Sequence, residues 1–256
     1  MSSGYYAACT GLMSRTEALD TIANNLANTS TTGFRASHNI FSSVLATADN
    51  SSLSALNQDA NDYGVLSGTR LDTSQGALVP TSNDLDIAME GPGYFTVQTA
   101  SGPAYTRGGN FRVSPQGQLI TAAGDPVLGD NGPITIVGTP VSISPDGTIS
   151  SNGAISGRLK VVEFASNVAV QSAGGTYYTA PTGTAVPASS SQVRQGMLES
   201  SNVNPITSVV ELITAQRDVE TMRRMLTMFS TEMDKTASQD LPHVGQSPAE
   251  CDRGLL

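Results

Sequence analysis

Asp84, Asp86 and Glu90 fall close together, and acidic groups at such spacing could serve as a general acid–base pair or as oxygen ligands for calcium. The intervening residues point elsewhere. In the run Asn83 to Met89, Leu85, Ile87 and Met89 alternate with Asp84, Asp86 and Ala88, the pattern of a strand with one face buried and the other in water. His38 and His243 are the imidazoles of the chain, and neither has a visible partner for a triad or a metal site. Cys9 and Cys251 lie near opposite ends with no CxxC or zinc-ligand spacing, so no disulfide framework is indicated. Gly91-Pro92-Gly93 lacks the free backbone N–H groups that a phosphate loop needs, and a tight turn fits better. Arg107, in Tyr105 to Phe111, allows two readings: an anion-binding loop, or a turn whose arginine meets a neighbouring carboxylate. No arrangement supplies a nucleophile, a base and an oxyanion site together. The chain is expected to be non-enzymatic, with no cofactor and no metal.

Composition narrows the class further. A chain of 256 residues can bury a core without staples. With 14% charged and 5% aromatic residues, no Trp and abundant Gly, short strands and turns are favoured over an all-helical enzyme. The net charge of -9 comes without clustered Lys and Arg, which argues against a nucleic-acid partner. Met1 to Thr10 lacks the basic and apolar regions of a cleaved signal peptide, and no window is long enough for a membrane span.

The elements follow from periodicity. A helix is expected over about residues 4 to 28, with Tyr5, Ala8, Leu12, Arg15, Leu19, Ile22 and Leu26 in three-four spacing, all apolar but Arg15. Leu212, Ala215, Val219, Met222, Leu226, Phe229 and Met233 repeat that spacing in a second helix, which begins after Asn204-Pro205 and runs to about Thr236. The two seams are expected to pair and to form the assembly interface. Arg15 is the charge within them, and Asp218 or Glu220 of a neighbouring copy are candidate partners. Between the helices, Tyr94–Val97, Phe111–Val113, Ile134–Ile136, Val141–Ile143 and Leu159–Val161 read as strands of an antiparallel domain. The fold class is therefore α+β, a central, mainly β domain flanked by terminal helices that pair as a coiled-coil-like stalk.

The expected divisions are 1–35, the N-terminal helix; 36–68, a linker or a segment specific to this chain; 69–192, the β-rich domain; 193–237, the C-terminal helix; and 238–256, a flexible tail. For 36–68, a solvated linker and a segment ordering against neighbouring subunits both fit. Residues 174–191 read as a loop or weak hairpin. Asn28, Thr29 and Ser30 compete with helix through their side chains, and Gly33 readily turns left-handed, so the first helix is expected to stop there.

Four blocks carry a family resemblance. Ala23-Asn24-Asn25-Leu26-Ala27-Asn28, continued by Gly33-Phe34-Arg35, resembles the N-terminal signature of the bacterial flagellar axial proteins of the rod and hook. Gly76-Ala77-Leu78 with Asn83 to Val97, then Tyr105 to Phe111, then Val193 to Asn204, resemble the remaining signatures. Gly132 to Ile136, Asp146 to Ser150 and Gly157 to Val162 look most like the proximal-rod branch, with a distal-rod subunit as the alternative. A secreted hydrolase or glycan-binding β protein is the reading outside the family.

The resemblance implies a structural subunit of the basal-body rod. Copies would stack helically across the periplasm and transmit torque, with terminal helices inside and the β domain outside. It implies other copies, other rod proteins and the flagellar type III export apparatus as partners, with export that needs no cleaved signal peptide.

Overall fold

The first helix, α1, spans Ser2–Ala27 and ends where the side chains predict. Asn28 donates through Nδ2 to the Asn24 carbonyl at 2.8 Å, Thr29 Oγ1 donates to the Leu26 carbonyl at 2.9 Å, and Gly33 takes φ 72°. The computed structural model describes residues 2–42, 65–165 and 168–239. The expected tail, 238–256, thus lies almost wholly outside the described residues, as do His243 and Cys251.

The second helix, α2, covers Pro205–Gln239. Asn204 caps it, its Oδ1 accepting from Ile206 N at 3.0 Å and Thr207 N at 3.3 Å, while Pro205 occupies the first helical position. The two helices lie side by side. Asn202 N donates to the Phe34 carbonyl at 3.4 Å beside the β region, and Arg15 lies 4.0 Å from Asp218 further along, so the helices run antiparallel.

Between the helices the chain is almost entirely short antiparallel strands. Six form the main sheet, in the order Gln171–Gly174, Tyr177–Thr179, Gly102–Thr106, Tyr94–Thr99, Val161–Phe164 and Ala185–Pro187. A three-stranded sheet follows from Val141–Ile143, Thr148–Ser151 and Ala154–Arg158. Ile87, Met89, Phe95, Val97, Leu119, Val127 and Ile149 are fully buried in the core between these pieces. Each such side chain contributes about 1.5–3 kcal/mol through burial. Phe95 and Phe111 meet edge-on with centroids 5.3 Å apart.

Several expectations require correction. Asp86 and Ala88 do not face water: they are 8% and 0% exposed. The strand Ile87–Glu90 pairs edge to edge with Gln192–Gln195, Asp86 bridges Asn110, and residues 86–89 are all buried, so side chains on both faces of this segment are shielded from water. Ile134 and Ile136 are buried as alternation requires, but Thr135 makes an isolated bridge to Gln118 instead of belonging to a strand. The strand placed at Leu159 begins at Val161. The ends of the supposed linker are also strands, Ser37–Ser42 pairing with Val65–Leu71. The weak hairpin holds Tyr178, 1% exposed, within the main sheet.

Candidate functional site

Arg35, Arg107 and Glu199 meet at the root of the two helices, each about 1% exposed. Glu199 ends the strand Met197–Glu199, which pairs with Leu78–Pro80. Arg107 follows directly on the strand Gly102–Thr106, and Arg35 follows the Gly33 turn. Nη2 of Arg35 lies 2.7 Å from Glu199 Oε1, on an approach oblique to its N–H direction, so the contact is ionic. Nη1 of Arg107 donates to Oε2 at 3.1 Å. Gly76 N donates to Oε1 at 2.9 Å, and the Glu199 carbonyl accepts from Gly33 N at 2.8 Å.

Two cations share this anion, and the surroundings supply further compensation. The Tyr94 ring sits under the Arg107 guanidinium at 4.8 Å, and the Gly91 carbonyl accepts from Nη2 at 2.6 Å. Burial pulls the Arg107 pKa below its ordinary value; Glu199 opposes that shift and Arg35 adds to it. Tyr178 completes the joint, its hydroxyl accepting from Arg35 N at 3.0 Å and donating to the Gly33 carbonyl at 3.2 Å. Burial is the leading cause that raises the Tyr178 pKa well above an ordinary phenol.

Packing at Gly33 explains its residue type. A Cβ there would overlap the Arg107 carbonyl carbon and the Gly108 nitrogen, and the positive φ adds strain for any other residue. Nearby, the Asn25 amide pairs with the backbone of Ser37, donating to its carbonyl at 2.8 Å and accepting from its N–H at 3.0 Å. Asn202 accepts from Ala36 N at 2.7 Å and donates to the carbonyls of Asp72 and Ser74. These contacts fasten the roots of both helices to the β region.

The other residues singled out by chemistry lie apart from this joint. Asp86 Oδ1 accepts from Asn83 Nδ2 at 2.9 Å, Glu90 pairs with exposed Arg194 at 2.7 Å, and Asp84 and His38 are exposed. No group of three His, Cys, Asp or Glu side chains among the described residues could hold a metal. Of the two readings for Arg107, the carboxylate contact is the one observed.

In the seams, Leu12, Leu19, Ile22 and Leu26 are half-buried, as are Leu212, Ala215, Met222 and Leu226, and Val219 is 9% exposed. The side chains of Tyr5, Ala8, Phe229 and Met233 lie outside the described residues. Arg15 meets Asp218 of its own chain, whereas a neighbouring copy was the expected source. In the motif, Asn25, Gly33 and Phe34 are buried, Leu26 and Asn28 half-buried, and Ala23, Asn24 and Ala27 exposed.

Sequence reasoning missed Glu199 and Tyr178. A signal for Glu199 was present, because it is the acidic residue within a block shared with the resembled family in a chain poor in charge. Tyr178 lay in a Gly- and Ser-rich stretch that concealed it.

Three family models match the chain: "Flagella basal body rod protein" at residues 6–35, "Flagellar hook protein FlgE/F/G D1 domain" at 88–157, and "Flagellar basal body rod FlgEFG protein C-terminal" at 194–240. Arg35, Arg107 and Glu199 fall one in each matched segment. The flagellar basal-body rod protein FlgF of Caulobacter vibrioides is 34% identical, over 94% of this chain and 98% of its own length. FlgF of Salmonella typhimurium is 35% identical over 80% of this chain and 85% of its own. FlgG of Bacillus subtilis is 30% identical over 89% and 95% respectively.

Proposed function

Because this chain belongs to the flagellar basal-body rod protein family, we propose that it is a proximal-rod subunit whose helical assembly transmits torque across the periplasm. It is a structural protein and not an enzyme. In this reading α1 and α2 form a coiled-coil-like stalk in the inner layer of the tube, and the β-rich region lies outside. The seam from Leu12 to Leu26 and from Leu212 to Leu226 serves assembly by holding each stalk together; Tyr5, Ala8, Phe229 and Met233 would extend it. Its partners are other copies, other rod proteins and the flagellar type III export apparatus.

Likeness to FlgF proteins across both helices and the β region carries the proximal assignment. The buried joint at Glu199 supports a torque-bearing role, because it couples helix roots to the outer region through groups that cannot separate without exposing buried charge. A distal-rod position is the second reading, favoured by likeness to FlgG of Bacillus subtilis.

The test is to locate the tagged subunit in isolated basal bodies by electron microscopy. Density in the membrane-proximal rod supports the first reading, density in the distal rod the second, and absence from the basal body overturns both. Replacing Leu226 by Asp should give exported subunits that complete no rod. Normal motility in that variant would count against the stalk.

A further inference from the structure

Two guanidiniums and one carboxylate are shut away together at the root of the helices, in Arg35, Arg107 and Glu199. Two positive charges against one negative leave the cluster with one positive charge in excess. A buried charge is costly unless a counter-charge and hydrogen bonds compensate it, so the surplus cation is the weak point of the joint. Among the described residues, Glu199 is the sole carboxylate within 4.0 Å of either arginine.

The two arginines are not equally provided for. Arg107 has Glu199 Oε2 at 3.1 Å, the Gly91 carbonyl at 2.6 Å and the Tyr94 ring at 4.8 Å, which leaves Nε as its one buried nitrogen without a hydrogen bond among the described residues. Arg35 has the oblique ionic contact to Glu199 Oε1, yet its Nε, Nη1 and Nη2 are all buried and none hydrogen-bonds to a described residue. The Glu199 oxygen it faces already accepts from Gly76 N, and the Tyr178 hydroxyl is engaged on the backbone at Gly33 and Arg35. Phe34 and Ala36, on either side of Arg35, are buried as well. Buried donors call for acceptors. A water would meet the hydrogen bonds and leave the charge, whereas a small monovalent anion meets both. A divalent oxyanion would reverse the imbalance instead of cancelling it.

We propose that the Arg35 guanidinium binds one monovalent anion of the halide class, chloride, and that this ion completes the joint between α1 and the β region. Arg35 leaves α1 directly after the Gly33 turn, so neutralising it fastens the helix root. The site belongs to the folded single chain and does not depend on where that chain sits in the rod.

Thermal unfolding of the full-length chain tests this, with gluconate, an anion too large for the site, replaced stepwise by chloride at constant ionic strength. An ion bound only by the folded state stabilises it in proportion to the logarithm of its concentration, even past saturation. The wild-type melting temperature should therefore climb by about 3–5 °C for each tenfold rise in chloride once the site begins to fill. A profile that stays flat across the series overturns the proposal. Arg35→Met removes the surplus charge and leaves a balanced Arg107–Glu199 pair, so its profile should be flat; a slope equal to that of wild type would show that chloride acts elsewhere and would also overturn the site. Should Arg35→Met fail to fold, diffraction from wild-type crystals soaked in bromide decides. An anomalous peak within hydrogen-bond reach of the Arg35 guanidinium is expected, and its absence there overturns the proposal.

Discussion

Arg35 stands 2.7 Å from the Glu199 carboxylate although they lie in the first and last of the segments matched by family models. Arg107, from the middle segment, takes the other oxygen. Replacing Glu199 by Gln would leave two buried guanidiniums without their anion. The expected loss is about 3–5 kcal/mol in denaturant unfolding. A triple replacement of Arg35, Arg107 and Glu199 by apolar residues of similar volume should recover much of it. If the Gln variant loses less than about 1 kcal/mol, the joint does not hold the fold as described.

Tyr178→Phe removes one hydroxyl that serves Arg35 N and the Gly33 carbonyl. Both backbone groups then lack their partner in a buried setting. Stability should fall by about 1–3 kcal/mol, measured by the same unfolding titration, with the sheet retained by circular dichroism.

Gly33→Ala combines an unfavourable φ of 72° with a Cβ that overlaps the backbone at Arg107 and Gly108. The cost should exceed the about 1 kcal/mol of left-handed strain alone. Gly153→Ala supplies the control, since its φ of 80° is close to that of Gly33 and a Cβ there meets nothing within 4 Å. A Gly33 variant no less stable than the Gly153 variant would rule out the close approach.

Asn204→Ala tests the start of α2. Its amide oxygen serves two backbone N–H groups, so about 1 kcal/mol of helix stabilisation should disappear. Hydrogen exchange at Ile206 and Thr207 should quicken, while exchange in the main sheet stays unchanged.

Glu163 gives a pH signature. Burial alone would raise its pKa, but hydrogen bonds from Ser191 and Ser190 outweigh this and hold it below the ordinary glutamate value. The folded pKa is depressed, so the contribution is present above about pH 4.3 and is lost as pH falls through the folded value. Its size is about 1 kcal/mol or less because the group is near the surface. Melting temperatures of wild type and Glu163→Gln should therefore differ at neutral pH and converge in acid. A gap that persists unchanged in acid would refute the assignment.

The sequence by itself determined the helices and their ends. Three-four spacing marks a helical face from local order alone, and Asn28, Thr29, Gly33, Asn204 and Pro205 act within a few residues of themselves. The strand-rich interior was also legible, through alternation and turn residues. What failed was the environment of each face: Asp84 to Met89 alternates correctly, yet Asp86 and Ala88 are buried, in a segment whose strand partners are distant in sequence. Local pattern cannot reveal a second covering layer. The same limit applied to Glu199, Arg35 and Arg107: a carboxylate contact for Arg107 was legible as one of two readings, but the neighbouring residues do not say that all three meet in one buried cluster. The sequence supplied their types, and only the tertiary fold brought two cations onto one anion, because that contact depends on where separate segments meet in space.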